Sequence, residues 1–399
     1  MEGNWLVLVV LVLSTVTCSL GEDEFACHGK LLLSHVLCRY AAKSPASLLP
    51  SDCSKELFGV KPNEITQLGR DQAWEVGASL KDHFAGFLPD VYSSEDVKLR
   101  TSDEDFTHIS LAAVMKGIFG PTAPAKELKV YYQHVPGYTQ PLDIDLLLPM
   151  VRSPCPGFRA ELDRITNSTE YQKFMHQMAY LEEFSRSVSG LSAIELYDNL
   201  ESKAYHGLPL PDLCHKVFPA LTSYVAGSLY FNVASTERLR RMYHGRYMQD
   251  VAGHMVKKIK GTLKPDRKVF VYGGHAANVL AHLAAMEVWD GQIPSYSACV
   301  NVELRLKHKN EYVVTVSYRN DTSQPARLLK LPKCSCVACP LDEFLQATDA
   351  EVLNMHECLG QPLPPTPPGV PPPGTRLLPL LPEFVIPVTN DLHSYPRCV

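Results

Sequence analysis

The sequence predicts an α/β fold: a central, mostly parallel sheet flanked by helices, with an inserted α-helical cap. Three observations lead there. Short apolar, β-branched runs occur toward both ends of the chain, while residues from about Gly157 to Gly261 carry helical periodicity instead. Two of the runs feed turns of small residues that open into helices, the usual setting of a ligand site in an α/β sheet. The order is therefore sheet, helices, sheet, which implies one core built from both ends of the chain. The expected division is a leader at 1–21, a core from 22–155 and 262–360, a cap over 156–261 and a proline-rich tail over 361–399.

At 399 residues with a formal net charge of −5, the chain is long enough for a sizeable core and has no general attraction to nucleic acid. Trp5 to Leu13 is an apolar run followed by small residues at Ser14, Thr15, Thr17, Ser19 and Gly21. It reads as a secretory signal, although it carries Glu2 and no Lys or Arg before the run. The acidic Glu22-Asp23-Glu24 that follows argues against a buried N-terminal strand. The run is too short for a membrane span and no other segment qualifies, so no membrane anchor is expected. The expected location is extracellular or the lysosomal lumen. The 12 cysteines suit an oxidising compartment, and loss of Cys18 with the leader leaves an odd number. Asn167-Ser168-Thr169 and Asn320-Asp321-Thr322 are glycosylation sequons.

Leu31 to Leu37 reads as a buried strand. Leu37-Cys38-Arg39-Tyr40-Ala41-Ala42-Lys43-Ser44-Pro45 then places two cations on a short loop at the sheet edge, which suits an anion. Asn63 to Phe84 is an amphipathic helix with Ala73, Val76, Gly77, Leu80 and Phe84 on one face. Val97 to Asp103 is a strand ending in a polar turn, and Asp105 opens a helix with Phe106, Ile109 and Ala113 inward. Thr236 to Lys260 is a helix marked by Tyr243, Tyr247, Val251, Met255 and Ile259 at every fourth position. Arg238, Arg240, Arg241, Lys257, Lys258 and Lys260 crowd its ends and read as a solvated basic face, the other reading being a surface for a phosphorylated ligand. Lys268 to Tyr272 is a strand, followed by Gly273-Gly274-His275-Ala276-Ala277-Asn278 and a helix. Cys299 to Leu304 and Glu311 to Tyr318 read as a strand pair. Pro362 to Pro373 favours polyproline II over packed structure.

The loop at Arg39–Pro45 resembles the Arg-His-Gly-x-Arg-x-Pro signature of the histidine acid phosphatases, most closely the lysosomal and prostatic type. Further matches are the Leu68-Gly69 … Gln72-x-Trp74-Glu75-x-Gly77 text, the Arg100-Thr101-Ser102-Asp103 turn, Cys155-Pro156 and the His275 turn. The resemblance runs roughly from Lys30 to Cys358. In that family a histidine attacks phosphorus, arginines and a second histidine hold the phosphoryl oxygens, and an aspartate protonates the leaving group. Carried over by position, the resemblance gives Arg39, Lys43, Arg100 and His275 the phosphate-holding roles, with Lys43 lacking the guanidinium fork. Tyr40 falls at the nucleophile position and Ala276 at the proton-donor position. A phenol is almost un-ionised in acid, and alanine has no proton to give. What the resemblance implies is an impaired or inactive phosphate-monoester-binding pseudophosphatase. The competing reading is an active acid phosphatase with a non-standard nucleophile.

The resemblance also implies disulfides Cys155–Cys358 and Cys214–Cys299, with Cys339 joined to Cys334 or Cys336. A homodimer is a further expectation, because the family often dimerises. No cofactor and no metal are expected. His28 and His35 read as core or surface histidines rather than ligands. Cys334, Cys336 and Cys339 read as disulfide-forming rather than half a zinc site. Cys38 reads as buried or bridged rather than nucleophilic, since no base neighbours it in sequence. The expected partner is a phosphorylated or otherwise anionic small molecule.

Overall fold

Lys30–Arg39 forms β1, the strand through the middle of the sheet. The computed structural model describes residues 28–49, 57–120, 135–150, 152–307 and 310–361, so the leader and the tail beyond 361 lie outside the described residues. The remaining strands are β2 (Val97–Thr101), β3 (Gly137–Tyr138), β4 (Val269–Gly274), β5 (Cys299–Leu306), β6 (Tyr312–Arg319), β7 (Arg327–Leu329) and β8 (Cys339–Pro340). They form one sheet of order β3-β2-β4-β1-β5-β6-β7, with β8 also paired to β6. The sheet is mixed. Pairing is parallel through β3, β2, β4 and β1, and antiparallel from β1 across β5, β6 and β7. The antiparallel half follows from chain length: β5 and β6 are joined by a hairpin closed by Lys307 N–H to the Glu311 carbonyl at 2.8 Å, too short for a parallel crossover.

Helices cover both faces. Val36 and Cys38 of β1 point toward α1 (Gln67–His83) and α2 (Asp105–Phe119), and share a cluster with Ala73, Val76 and Val114. The two helices approach so closely that a Cβ on Gly77 would lie 2.0 Å from the Val114 carbonyl oxygen. Leu33 and Leu37 point the other way, toward α7 (Glu237–Ile259) and α8 (Ala276–Ala285), and meet Tyr247, Val251, Met255, Val279 and Leu283.

Between β3 and β4 the described chain is helical: α3 (Pro156–Thr166), α4 (Thr169–Ser189), α5 (Ala193–Tyr205), α6 (Asp212–Val233) and then α7. These helices bury their own cluster, including Phe158, Phe174, Leu196, Leu221 and Phe231, against Ala277 and Leu280 of α8. The first half of α7 (Leu239, Met242, Tyr243) belongs to that cluster and its second half to the sheet cluster, so α7 joins the two layers. The last described elements are α9 (Leu341–Asp349) and α10 (Met355–Cys358).

Two expectations need correction. The basic N-terminal end of α7 is not a solvated face. Arg240 is buried and pairs in bidentate fashion with Glu351 at 3.0 and 2.8 Å, and Arg241 does the same with Glu357 at 2.8 and 2.7 Å. The Cys214–Cys299 pairing is also overturned. Cys299 is bonded to Cys38, its register partner across β1 and β5, with Cα atoms 4.1 Å apart. Cys214 lies in the helical cluster and is itself disulfide-bonded. Cys155 is joined to Cys358 and Cys334 to Cys339, leaving Cys336 free and exposed. Glu343 approaches the Cys334–Cys339 pair closely enough for a three-ligand metal set, but sulfurs held in a disulfide are not thiolate ligands.

Candidate active site

The loop after β1 is positioned by backbone hydrogen bonds to both neighbouring segments. Arg39 N–H donates to the Ala298 carbonyl at 2.8 Å and Tyr40 N–H to the Gly274 carbonyl at 3.0 Å. Ser110 Oγ of α2 accepts from Ala41 N–H at 2.8 Å. This places the loop at the carboxyl ends of β1 and β4, beside the His275 turn.

Both loop cations are already partnered, and the partners come from α5. Arg39 is 4% exposed. Its Nη1 donates to Glu201 Oε1 at 3.0 Å and to the Pro294 carbonyl at 2.6 Å, and its Nη2 donates to Glu201 Oε2 at 3.1 Å. The guanidinium lies 4.1 Å from the Tyr296 ring centre and 5.2 Å from that of Tyr40. Burial opposes its charge, yet Glu201, Tyr40 and Tyr296 hold its pKa well above the ordinary value. Lys43 Nζ donates to Asp198 Oδ1 at 3.0 Å. Asp198 Oδ2 also accepts from Ala46 N–H at 2.7 Å, and Ser202 Oγ donates to the Lys43 carbonyl at 2.7 Å.

The geometry of α5 explains this grip. Ser192 and Glu195 form a capping box at its start, and Leu196 and Leu200 anchor it in the helical cluster. Asp198 and Glu201, three residues apart, then share a face turned to the loop. Sequence reasoning missed both residues. The available signal was a pair of acids at helical spacing, Asp198 and Glu201, interleaved with Leu196 and Leu200.

Tyr40 stands in an aromatic group. Its ring centre lies 4.6 Å from that of Phe106, 5.6 Å from His275 and 5.9 Å from Tyr296. His275 is at the N-terminus of α8, with its N–H donating to Asn278 Oδ1 at 2.8 Å and its Nε2 3.2 Å from Ser102 Oγ. Burial first, and Arg39 second, push its pKa down to about 3, so the imidazole is neutral through the mildly acidic range. Ala276, the first residue of α8, follows directly.

Arg39, Tyr40 and His275 are thus brought together, with Lys43 joined to them through α5. Arg100 makes none of these contacts. Its Nη2 donates to the fully buried Asp145 at 2.5 Å, and its Nη1 donates to the carbonyls of Thr101 and Tyr138. It lines a cleft on the α7 side of β2 instead. The other questioned residues also resolve. His35 is fully buried and stacks on Phe270, and Cys38 is in a disulfide.

Known proteins resemble this chain in sequence and in fold. The venom acid phosphatase of Apis mellifera is 27% identical over 313 residues, covering 76% of this chain and 79% of its own. Human prostatic acid phosphatase is 28% identical over 347 residues, covering 80% and 87%, and bovine lysosomal acid phosphatase is 27% identical over 340 residues, covering 81% and 79%. Among solved structures, the apo phytase of Hafnia alvei superposes with a TM-score of 0.59 at 14% identity, covering 82% of this chain and 98% of that one. The phytase of Citrobacter braakii gives 0.59 at 13% identity, covering 82% and 99%. These two likenesses speak to the fold. The model of branch 2 of the histidine phosphatase superfamily matches residues 40–319, and to that family the chain belongs.

Proposed function

We propose that this protein is a secreted pseudophosphatase, in which hydrolysis of phosphate monoesters is lost or strongly impaired. The observation that carries this reading is the double clamp of α5: Glu201 holds Arg39 and Asp198 holds Lys43. A carboxylate with two oxygens on a guanidinium occupies the hydrogen-bonding positions a phosphoryl group would need. By position in the family pattern, Arg39, Lys43, Arg100 and His275 correspond to phosphate-holding residues, but only Arg39, Lys43 and His275 lie around the signature loop. An anionic ligand would have to displace Asp198 and Glu201 to use the first two, and Arg100 is committed to Asp145. The aromatic packing of Tyr40 against Phe106 and Tyr296, and an alanine at 276, supply neither a ready nucleophile nor an acid.

Secretion is supported by the apolar N-terminal run, by the disulfides and by acid phosphatase relatives described as venom, prostatic and lysosomal. No helix among the described residues is long and apolar enough to cross a membrane. Asn167 is exposed at the end of α3 and suits glycosylation. Asn320 is half-buried, its Oδ1 accepting from Ser295 N–H and the Tyr318 hydroxyl.

The test is steady-state turnover of p-nitrophenyl phosphate and an alkyl phosphate at mildly acidic pH. The proteins are the unmodified chain, Tyr40→His, Ala276→Asp and the double variant. Tyr40→His should raise turnover of the nitrophenyl ester, whose leaving group is stable, and Ala276→Asp alone should do nothing. The double variant should improve the alkyl ester by on the order of 10²-fold over Tyr40→His, the contribution of a general acid. Turnover by the unmodified protein that Tyr40→Phe abolishes would instead identify a working phosphatase with Tyr40 as nucleophile.

A further inference from the structure

A cleft of about 840 Å³ lies between the α7-facing side of β2 and β4 and helix α7, at the β3 edge of the sheet. None of Arg39, Lys43 or His275 lines it. Its size is that of a small-molecule site. Four cations face it, on a chain whose net charge is −5. Two of them are spoken for: Arg100 by Asp145 at 2.5 Å, and Arg246 by Asp250 at 3.0 Å.

The other two, Lys98 and Arg267, have no carboxylate partner among the described residues. Lys98 Nζ sits 5.8 Å from the Tyr138 ring centre, and Arg267 Nε donates to the Ser94 carbonyl at 3.0 Å. Both are half-buried, and they repel each other: burial and the charge of Arg267 lower the pKa of Lys98, with Asp250, already paired to Arg246, opposing them only in part. A recess that holds two like charges partly out of water gains from an anion placed between them. The rim differs in kind. Tyr138, Ile144 and Met355 are 53%, 57% and 49% exposed and all line the cleft. Large apolar side chains left open beside unpaired cations suit a ligand with an apolar body and one charged end.

We propose that this cleft is a binding site, separate from the signature loop, for a small amphipathic anion. Its aryl or alkyl part lies against Tyr138, Ile144 and Met355, and its sulfonate, sulfate, phosphate or carboxylate sits between Lys98 and Arg267. The cleft runs along the α7-facing side of β2 and β4, and its two unpaired cations sit toward the end of those strands away from the His275 turn, since Lys98 pairs in register with Phe270 and Arg267 precedes β4. The proposal therefore stands whether or not the signature site is active.

The probe is naphthalene-2-sulfonate, titrated calorimetrically into the full chain, with the neutral naphthalene-2-methanol as comparison. Saturable binding is expected, weakened about tenfold by Lys98→Gln and by Arg267→Gln and further by the double variant, where tenfold corresponds to about 1.4 kcal/mol. Ile144→Ser should weaken it several-fold, and Lys173→Gln, on an exposed helix face elsewhere, should leave it unchanged. Equal thermal midpoints confirm that the variants fold. Absence of binding at millimolar concentration, equal binding of the neutral analogue, or affinity unchanged in the Lys98→Gln/Arg267→Gln double variant would each overturn the proposal.

Discussion

At Tyr40 the local sequence and the distant sequence contribute different things. The ring is placed by the loop that leaves β1, but its neighbourhood is made by Phe106, His275 and Tyr296. The signature cations and the His275 turn were readable because each lies in a contiguous string of residues. Their partners were not, because Glu201 is 162 residues from Arg39 and Asp198 is 155 from Lys43. Likewise, nothing in the text around Arg100 reveals that Asp145 turns its guanidinium away from the other three. The double clamp leads to a direct expectation. Asp198→Asn combined with Glu201→Gln leaves Arg39 and Lys43 without counter-charge. Loss of two charged hydrogen-bonding partners should lower stability by about 1–3 kcal/mol. It should also open the loop to oxyanions, so phosphate should raise the melting temperature of the variant by more than it raises that of the unmodified chain. Equal phosphate effects on both proteins would show that the carboxylates do not block the site.

Among the elements, α7 shows where periodicity succeeds and where it stops. The expected span was Thr236 to Lys260, and the helix is Glu237–Ile259 with those two residues as its caps. Its apolar spacing is a local property and was read correctly. The burial of Arg240 and Arg241 depends on Glu351 and Glu357, more than a hundred residues away, and so was invisible. The same limit explains the cysteines. The Cys38–Cys299 bond follows from the register of β1 against β5, which no spacing along the chain encodes. The two buried arginine pairs fasten the C-terminal segment onto α7, next to the Cys155–Cys358 bridge. Arg241→Met strands a buried Glu357 and should cost about 3–5 kcal/mol in urea denaturation. Adding Glu357→Leu should recover part of that loss, and no recovery would mean that the pair acts through more than its charges.

Over the whole molecule, the fold class was legible because strands and helices alternate in a way that short windows reveal. The antiparallel half of the sheet was legible only as one strand pair. The histidines were a different matter, since burial, with neighbouring charges second, decides the state of those in the core. His254 is held at about pKa 4 and His275 and His282 at about 3, chiefly by burial, while His35 and His244 are held well below 6.5 by the same cause. Four of them form two pairs, His35 with the half-buried His254 at 3.1 Å and the fully buried His244 with His282 at 3.0 Å. Each pair shares one proton between facing nitrogens. In the unfolded chain these rings take up protons below about 6.5. In the folded chain they resist until the pH nears 3–4. The unfolded state therefore binds more protons in between, so stability is full above about 6.5 and falls as the pH drops toward that lower range. A ring kept neutral at pH 5 withdraws about 2 kcal/mol relative to neutral pH. The melting temperature should fall markedly from pH 7.5 to pH 5. A midpoint that stays level or rises over that interval would contradict the burial of these rings.

The position of β1 has a consequence for how the chain is made. Both neighbours of this first strand come late: β4 begins at Val269 and β5 at Cys299. The Cys38 sulfur waits for a partner 261 residues downstream. At ribosomal speeds of roughly 5–20 residues per second, that wait lasts about 13–50 s. Through it, the future centre of the sheet is a bare apolar strand with a free thiol at its end. Earlier-emerging thiols such as Cys53 and Cys155 are within its reach. Nascent chains halted before residue 269 would have no sheet neighbour for β1, so the core assembles only in the last third of synthesis or after it.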